Sequence, residues 1–358
     1  MRIKKALFLG TLCTAVSGMS LFAQAGVSYA KSAEKTTEAA SSEEAESEEE
    51  TSEEVTYPIT IEHAFGETVI ESKPERIATI GWENQDTPLA LGVAPVGVSA
   101  ANYGMVTDNN LHPWTDEAFA DLGVEKPVVF DDVDGLDFEQ ISDCNPDVIL
   151  AAYSGMTQED YDTLSQIAPV IPYKEKAWNT SWREQTIENA EGMGMKPEGE
   201  KKVKEVEDLI AEKLEEYPQL EGIPTAFCWI SADDFSTFYV YLPTDPRAAY
   251  LLDLGFTLPE SVQKLAGETD DFNITVSREN ADQLDDIQLM VVYGDEDLLK
   301  SLQEDKLMSQ IPAIKNGAVA LVDSTSALAG ACTPSILSIP YEIDEYLQLL
   351  SDVAENIK

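Results

Sequence analysis

Aromatic and arginine side chains cluster in two loops of the sequence, where a core role explains them less well than it would within a strand. One loop holds Trp178, Trp182 and Arg183 in the string WNTSWR, and the other is the string PTDPR, which ends at Arg247. Indole and phenol faces stack on flat or wrapped organic ligands, and a guanidinium donates a fork of hydrogen bonds to paired oxygens. The pattern predicts a site for an organic ligand larger than an amino acid or a bare ion. Pairing with Asp245 or another carboxylate is the alternative role for Arg247.

Groups that would support catalysis or a protein-held metal are scarce. Of the two histidines, His63 falls in a predicted hairpin and His112 precedes a proline. Zinc or manganese sites need several converging imidazole, thiolate or carboxylate ligands, and neither a two-cysteine, two-histidine site nor a three-histidine site can be assembled from this sequence. The sequence also has no G-x-S-x-G elbow and no HExxH motif. We therefore expect a binding protein with no cofactor and no metal site, and not an enzyme.

One local pattern occurs in both halves of the chain. Glu139 opens a predicted short helix, and an apolar strand then ends at Tyr153; Glu279 and Tyr293 repeat this arrangement at the same spacing of 14 residues. Trp82 ends another predicted strand. Because ligands of open α/β sheets bind outside the carboxyl ends of the strands, we expect these aromatic residues to face one cleft. Helix-dipole stabilisation by the glutamates and sheet-edge packing of the tyrosines are the alternatives.

Short apolar strands alternate with helices on both sides of one long helical segment. In residues 197–220 apolar residues recur at a spacing of three and four, while the other face is Lys and Glu. We predict an α/β fold of two lobes, each with a central, mostly parallel sheet flanked by helices, joined by this long inter-lobe helix. The N-terminal lobe then covers 57–196 and the C-terminal lobe covers 221–358. An ordinary surface helix of one domain is the alternative for the helical segment.

The first 56 residues have the composition of an export signal followed by a spacer. Residues 2–22 start with basic residues and continue with an apolar run that is too interrupted for a stable membrane span. We predict a signal peptide over 1–30 with cleavage after Ala30; cleavage after Ala25 and a retained anchor are the alternatives. Residues 31–56 are Ser, Thr, Ala and Glu with little to bury, which predicts a disordered acidic linker.

Acidic residues dominate the composition. The 67 Asp and Glu against 23 Lys and Arg give a formal net charge of −44. Such a charge opposes binding to nucleic acid and to anionic membranes. It also favours a neutral or cationic ligand over a polyanionic one, unless basic residues gather locally. Outside the signal, Cys144, Cys228 and Cys332 form no disulfide framework, and we expect Cys228 and Cys332 to be small buried hydrophobes.

Several stretches closely resemble the iron-siderophore ABC transporter substrate-binding proteins, a branch of the helical-backbone periplasmic binding proteins. They include YPITIEHAFGETVIESKPERIATIGW, PDVILAAYSGMTQEDYDTLSQIAPV, WNTSWREQ, PTDPRAAYLLDLGF, SRENADQL and TSALAGACTPSILSIPYEIDEYLQLL. The resemblance covers about residues 57–358. It implies a two-lobed protein with a rigid inter-lobe helix. Such a protein delivers a ferric siderophore to ABC permease subunits in the membrane. In the proteins that it resembles, the siderophore itself holds the ferric ion.

The resemblance also implies roles for particular residues. The positions that match the ligand-binding site of the family are Trp82, Tyr103, Tyr153, Trp178, Trp182, Arg183, Tyr241, Arg247 and Tyr293. Glu139 and Glu279 match the two acidic contacts that dock onto permease arginines. Gram-positive members carry a modifiable cysteine just before the spacer, and Cys13 does not stand in that place, so no lipid anchor is evident.

The function that we predict is capture of a ferric siderophore, with a hydroxamate type favoured by the charge. Binding of haem or a corrinoid by the same fold is the main alternative, with Tyr153, Tyr293 or Met105 as a haem ligand. A surface adhesion or scaffold protein would explain export but not the strand-end aromatics, and an esterase lacks a visible base and nucleophile. We expect an exported monomer, extracellular or at the cell surface, or in the periplasm of a Gram-negative cell.

Overall fold

A β-hairpin and two five-stranded sheets carry the fold within the residues that the computed structural model describes, 55–132 and 135–358. These residues belong to a single unit of the chain. The predicted signal peptide over 1–30 and nearly all of the predicted linker over 31–56 lie outside the described residues.

The N-terminal strands form the hairpin and the first five-stranded sheet. They are β1 (Ile59–His63), β2 (Gly66–Ile70), β3 (Ile77–Thr79), β4 (Gly97–Ser99), β5 (Val129–Phe130), β6 (Val148–Ala151) and β7 (Val170–Pro172). β1 and β2 pair antiparallel with His63 opposite Gly66, which confirms the hairpin predicted around this glycine. The other five strands are parallel, in the order β5-β4-β3-β6-β7. β3 and β6 are buried along their whole length, as expected of parallel strands that are covered on both faces.

Six helices accompany these strands in the described part of the chain. They are α1 (Asp86–Ala90), α2 (Pro113–Asp121), α3 (Phe138–Asp143), α4 (Gln158–Leu164), α5 (Trp182–Gly192) and α6 (Lys196–Glu215). α6 has 20 residues, so it is about 30 Å long. It separates the two five-stranded sheets in sequence and buries Val203, Val206 and Ile210 in a core shared with the C-terminal strands. The predicted helical segment 197–220 is thus one α-helix that ends at Glu215, followed by a 3-10 turn at Pro218–Leu220.

The second five-stranded sheet is mixed. Its strands are β8 (Thr225–Trp229), β9 (Thr237–Tyr241), β10 (Asn273–Ser277), β11 (Leu289–Tyr293) and β12 (Val319–Val322), in the order β10-β9-β8-β11-β12. β8, β11 and β12 are parallel, whereas β9 is antiparallel to both of its neighbours. The predicted α/β class with two mostly parallel sheets is confirmed, and the antiparallel pairs are confined to one edge.

The C-terminal helices end with a long one. In the described residues they are α7 (Pro246–Asp253), α8 (Glu260–Ala266), α9 (Glu296–Glu304), α10 (Pro312–Asn316), α11 (Ala327–Ala331) and α12 (Ser338–Ala354). The sequence predicts an interruption of the last helix at Pro340. The structure corrects this, because α12 begins at Ser338 and Pro340 lies in its first turn, where a missing backbone N–H costs no hydrogen bond. Cys228 and Cys332 are free and fully buried, as predicted.

Candidate ligand-binding site

Seven of the nine predicted ligand-binding residues line one cavity of about 410 Å³ between the two five-stranded sheets. They are Trp82, Tyr103, Tyr153, Trp178, Tyr241, Arg247 and Tyr293. Trp229, Asp245, Phe272 and Thr333 complete the lining. We call this space the aromatic cavity, because eight of its eleven lining side chains are aromatic.

Strand ends and loops of both sheets supply the lining side chains. Tyr153 follows β6 in the first sheet, and Trp229 and Tyr293 end β8 and β11 in the second. Each of these strands runs parallel to a neighbour in its sheet, so the aromatic cavity lies outside carboxyl strand ends, where open α/β sheets bind ligands. Trp82 and Trp178 come from the loops after β3 and β7.

Aromatic rings contact one another around the aromatic cavity. Tyr103 meets Tyr293 edge-on with ring centroids 5.2 Å apart, which joins an N-terminal loop to the C-terminal sheet. Tyr153 and Trp178 form a second edge-on pair, also at 5.2 Å. Because such pairs add about 0.5–1.5 kcal/mol beyond area burial, they hold the cavity walls in place before a ligand arrives.

Among the described residues, Arg247 is the one arginine that lines the cavity, and its guanidinium pairs with the Asp245 carboxylate. Its Nε donates to Asp245 Oδ1 at 2.8 Å and its Nη2 to Oδ2 at 2.7 Å. The guanidinium carbon lies 4.1 Å from the ring centroid of Tyr241. Arg247 therefore has both roles: it pairs with a carboxylate, which was the alternative, and it lines the cavity. Since the two charges cancel, the pair adds polar groups to the wall with no net charge.

The phenol groups of the cavity hold their protons. Burial raises the pKa of Tyr103 to about 12. Burial also raises the pKa of Tyr153 and of Tyr293, against the opposing charge of Arg247. At neutral pH the hydroxyls of these three tyrosines are therefore neutral donors; that of Tyr293 donates to the Ala329 backbone oxygen at 3.5 Å, and those of Tyr103 and Tyr153 can donate to ligand oxygens. A phenolate that coordinates iron is disfavoured here for the same reason.

Trp182 and Arg183 do not line the aromatic cavity, and the loop position predicted for both is wrong. They are the first two residues of α5, and not loop residues, because the Ser181 side chain caps that helix. Trp182 is 2% exposed and donates through Nε1 to Asp253 at 3.0 Å; Arg183 donates to Asp253 at 2.7 Å and to Glu207 at 2.6 Å. Trp182 therefore joins α5 to α7, and Arg183 joins α5 to both α6 and α7. The Ser-x-x-Glu capping box that begins at Ser181 is the sequence signal that would have shown the helix.

The apolar strand that contains Trp229 predicts a core residue, but Trp229 lines the aromatic cavity, so this prediction is wrong. It ends β8, is 41% exposed and packs on Tyr239 with ring centroids 5.6 Å apart. The rule that placed Tyr153 and Tyr293 at the cavity, an aromatic residue at the carboxyl end of a strand, applies equally to Trp229. Phe272 and Thr333 stand in loops without a comparable pattern, so the sequence gives no signal for them.

A smaller cavity of about 280 Å³ shares Trp82 and Trp178 with the aromatic cavity. Its other walls come from loops of the N-terminal half and from α4, and they include the side chains of Asp132 and Asp160. The aromatic cavity is nevertheless the better candidate site, because side chains from both sheets meet in it and a polar ion pair stands on its wall.

The sequence profile of the periplasmic binding protein family matches residues 77–325 of the chain, and this range contains both five-stranded sheets and every lining residue of the aromatic cavity except Thr333. The chain belongs to the periplasmic binding protein family. The resemblance read from the sequence motifs is therefore confirmed.

Three relatives describe this branch of the family. PiaA from Streptococcus pneumoniae TIGR4, solved in complex with ferrichrome, is 47% identical with a TM-score of 0.80, over 84% of this chain and 100% of that one. The petrobactin-binding protein YclQ of Bacillus subtilis is 24% identical over 81% of this chain and 88% of its own length. The probable siderophore-binding lipoprotein YfiY of the same bacterium is 25% identical over 65% of this chain and 67% of its own length. The family and the lipoprotein relative support export of the chain.

Glu139 and Glu279 occupy equivalent places in the two halves of this family member. Glu139 lies in the first turn of α3, and Glu279 in the first turn of the 3-10 helix Arg278–Gln283. Both side chains are exposed. The predicted helix N-terminus is thus present at each position, and both carboxylates are accessible to a partner.

The described part of the chain contains neither a metal-site cluster nor a membrane-spanning helix. No cluster of His, Cys, Asp and Glu in residues 55–132 and 135–358 has the arrangement of a metal site. In the same part of the chain, no helix is both long and apolar enough to span a bilayer.

Proposed function

We propose that this chain is the exported substrate-binding component of an ABC importer and that it binds a ferric hydroxamate siderophore in the aromatic cavity. The observation that carries the proposal is the cavity itself, which two sheets line mainly with aromatic side chains around one neutral ion pair. The 47% identity to a protein solved with ferrichrome supports this ligand class.

The charge of the cavity favours a neutral complex over a polyanionic one. Arg247 and Asp245 are the charged residues in its lining, and they neutralise each other. A ferric hydroxamate complex with no net charge meets no electrostatic penalty there, whereas a triply anionic catecholate finds no uncompensated cation. The net charge of −44 for the whole chain acts in the same direction.

The hydroxyl groups of the cavity fit a ligand that already carries its iron. Tyr103, Tyr153 and Tyr293 stay protonated, so they are not suited to coordinate iron themselves, and Tyr103 and Tyr153 can donate hydrogen bonds to the iron-ligating oxygens. Haem is a weaker candidate for the same reason, because a tyrosine ligand to haem iron is a phenolate. We assign ligand contact to the seven cavity residues named from the sequence together with Trp229 and Phe272.

Delivery to the permease is assigned to the two exposed glutamates. Glu139 and Glu279 each stand at a helix start in a different half of the chain, which suits them to one contact per lobe. α6 is assigned the role of the stiff link between the lobes, since its 20 residues form one uninterrupted helix. The ligand would then bind with small movements of two lobes of fixed internal structure.

Tryptophan fluorescence of the purified protein tests the ligand class. We would titrate it with ferrichrome, ferrioxamine, a ferric catecholate and haem, and repeat the titration with Trp229→Phe and with Trp182→Phe as the matched control outside the cavity. Saturable quenching by a hydroxamate at micromolar concentration or below, reduced in amplitude by Trp229→Phe and unchanged by Trp182→Phe, supports the proposal. Response to haem alone would overturn the ligand, and response to no compound would overturn the function.

A further inference from the structure

His112 stands directly behind the wall of the aromatic cavity. It is 1% exposed, and its ring stacks on Trp114 with centroids 4.6 Å apart. On its other side it meets the ring of the cavity residue Trp82 edge-on at 5.3 Å. Its Nε2 lies 2.8 Å from the backbone oxygen of a second cavity residue, Tyr103. One buried imidazole therefore contacts two parts of the wall.

The hydrogen bonds of His112 define what its ring nitrogens must do. A backbone oxygen only accepts, so Nε2 carries a proton and donates to Tyr103. Nδ1 lies 2.5 Å from Oε1 of Glu83, a side chain that is 3% exposed. With a carboxylate at that position, Nδ1 also carries a proton, and the ring is an imidazolium held in a buried ion pair.

Neighbouring groups favour this assignment of charge. Burial lowers the pKa of His112, but the charge and hydrogen bond of Glu83 outweigh it and raise the pKa above its ordinary value. Burial alone would raise the pKa of Glu83, and the charge of His112 with three hydrogen bonds brings it below the ordinary value. Burial and the charge of Glu83 raise the pKa of Asp86 well above its usual range. These contacts favour His112 as the cation of the cluster and Glu83 as its anion.

The same cluster ties the two halves of the protein together. Ser335, which precedes α12, donates to Asp86 at 2.5 Å. The loop that carries Tyr103 crosses to the other half as well, because the Met105 N–H donates to Ser326 at 2.9 Å. The crossing is close, since a side chain at Gly104 would meet the Gly330 nitrogen at 2.8 Å. A change in the charge of His112 therefore affects the part of the cavity wall that contacts both halves of the protein.

We propose that His112 is a positioning residue that, in its protonated form, holds Tyr103 and Trp82 in the wall of the aromatic cavity, so that ligand affinity falls as His112 loses its proton. The inference rests on the proposed function, because it assigns a regulation to the same site. Loss of the Nδ1 proton leaves two lone pairs facing each other between His112 and the Glu83 carboxylate. The His112 ring then has to move. The Tyr103 backbone oxygen either loses the hydrogen bond from Nε2 or shifts together with the ring.

The sign of the pH dependence follows from the raised pKa. His112 is protonated below its folded-state pKa. Its contacts with the cavity wall and the stability that they contribute are therefore fully present at low pH, and both are lost as pH rises through that pKa. In measurements between about pH 6 and about pH 9, we expect ferrichrome to bind about fivefold more weakly above the His112 midpoint than below it, the low end of typical coupling between two sites. The midpoint of the change must coincide with the titration of His112.

Other titrating groups can be separated from this effect. Two carboxylates in the first turns of α2, the helix that follows His112, bond elsewhere: Asp116 accepts from Asn109, and Glu117 accepts from Tyr341. The cavity phenols keep their protons over this range. Burial raises the pKa of Glu342 in α12 to about 7, so Glu342→Gln serves as a control for that carboxyl.

The chain provides a matched control, because it contains only two histidines. His63 is also buried, but its ring nitrogens bond Thr68 and the backbone of Phe65 in the β1–β2 hairpin, and burial lowers its pKa. We would measure ferrichrome affinity by calorimetry from about pH 6 to about pH 9 for the wild-type protein, His112→Gln, His63→Asn and Glu342→Gln. Nitrogen NMR of the two imidazoles in the ligand-free wild-type protein gives the His112 titration without any ligand.

The proposal predicts a loss of affinity in the wild-type protein that follows the His112 NMR titration. This loss persists in His63→Asn and Glu342→Gln and is absent in His112→Gln, whose amide can still donate to the Tyr103 oxygen. A wild-type affinity that does not change with pH, or a change with a midpoint away from the His112 titration, overturns the inference while the proposed function stands. No binding of either ferrichrome or ferrioxamine at any pH overturns the proposed ligand class and this inference with it.

Discussion

Replacing Arg247 with methionine will cost more stability than replacing Arg247 and Asp245 together. In the native protein the guanidinium fork occupies both oxygens of Asp245, whose side chain is 3% exposed. Arg247→Met leaves that carboxylate with one donor, the backbone N–H of residue 247. Breaking a buried pair costs about 3–5 kcal/mol, and we expect about 3 kcal/mol because this donor remains.

The double variant Asp245→Asn with Arg247→Met removes both charges. An amide oxygen can still accept the N–H at the start of α7, so we expect a loss of about 1–2 kcal/mol, less than for Arg247→Met alone. Urea unfolding of both single variants and the double variant, followed by circular dichroism, gives the coupling energy. A double variant no more stable than Arg247→Met would refute the claim that the carboxylate depends on its partner, and with it the neutrality of the cavity wall.

Three further predictions concern single side chains. Trp229→Ala will weaken ferrichrome binding about tenfold in calorimetry, because stacking of the ligand on an exposed indole is lost. Unchanged affinity would show that Trp229 does not contact the ligand. Trp182→Phe will lower the free energy of unfolding by about 1 kcal/mol through loss of its bond to Asp253, with no change in affinity, and an affinity loss would contradict its placement outside the cavity. Lys176 lies 3.4 Å from the Asp270 carboxylate across the loops that carry Trp178 and Phe272. Lys176→Met will speed ferrichrome dissociation about twofold in stopped-flow fluorescence at low salt, with no change in stability, and an equal effect at high salt would exclude an electrostatic contact.

Local patterns in the sequence determined most of the fold. Alternating apolar residues around Gly66 specify the hairpin that β1 and β2 form, and short apolar runs bounded by turn residues specify the strands. The strand ends were determined as well, so Tyr153 and Tyr293 could be placed at the cavity from the rule for open α/β sheets. These features depend on contacts between residues close in sequence and on one property of the fold class, which is that open α/β sheets bind ligands outside the carboxyl ends of their strands.

Only the tertiary structure decided which tryptophans face the ligand site. Trp182 stands in an aromatic loop string, yet it is buried because Asp253, 71 residues later, accepts its N–H between α5 and α7. Trp229 stands in an apolar strand, yet it is exposed because β9 pairs antiparallel beside β8 and sets Tyr239 next to it at the open end of the sheet. The burial of His112 against Glu83 has the same origin. Sequence periodicity fixes which face of an element a side chain occupies, but what that face meets depends on pairings between distant segments.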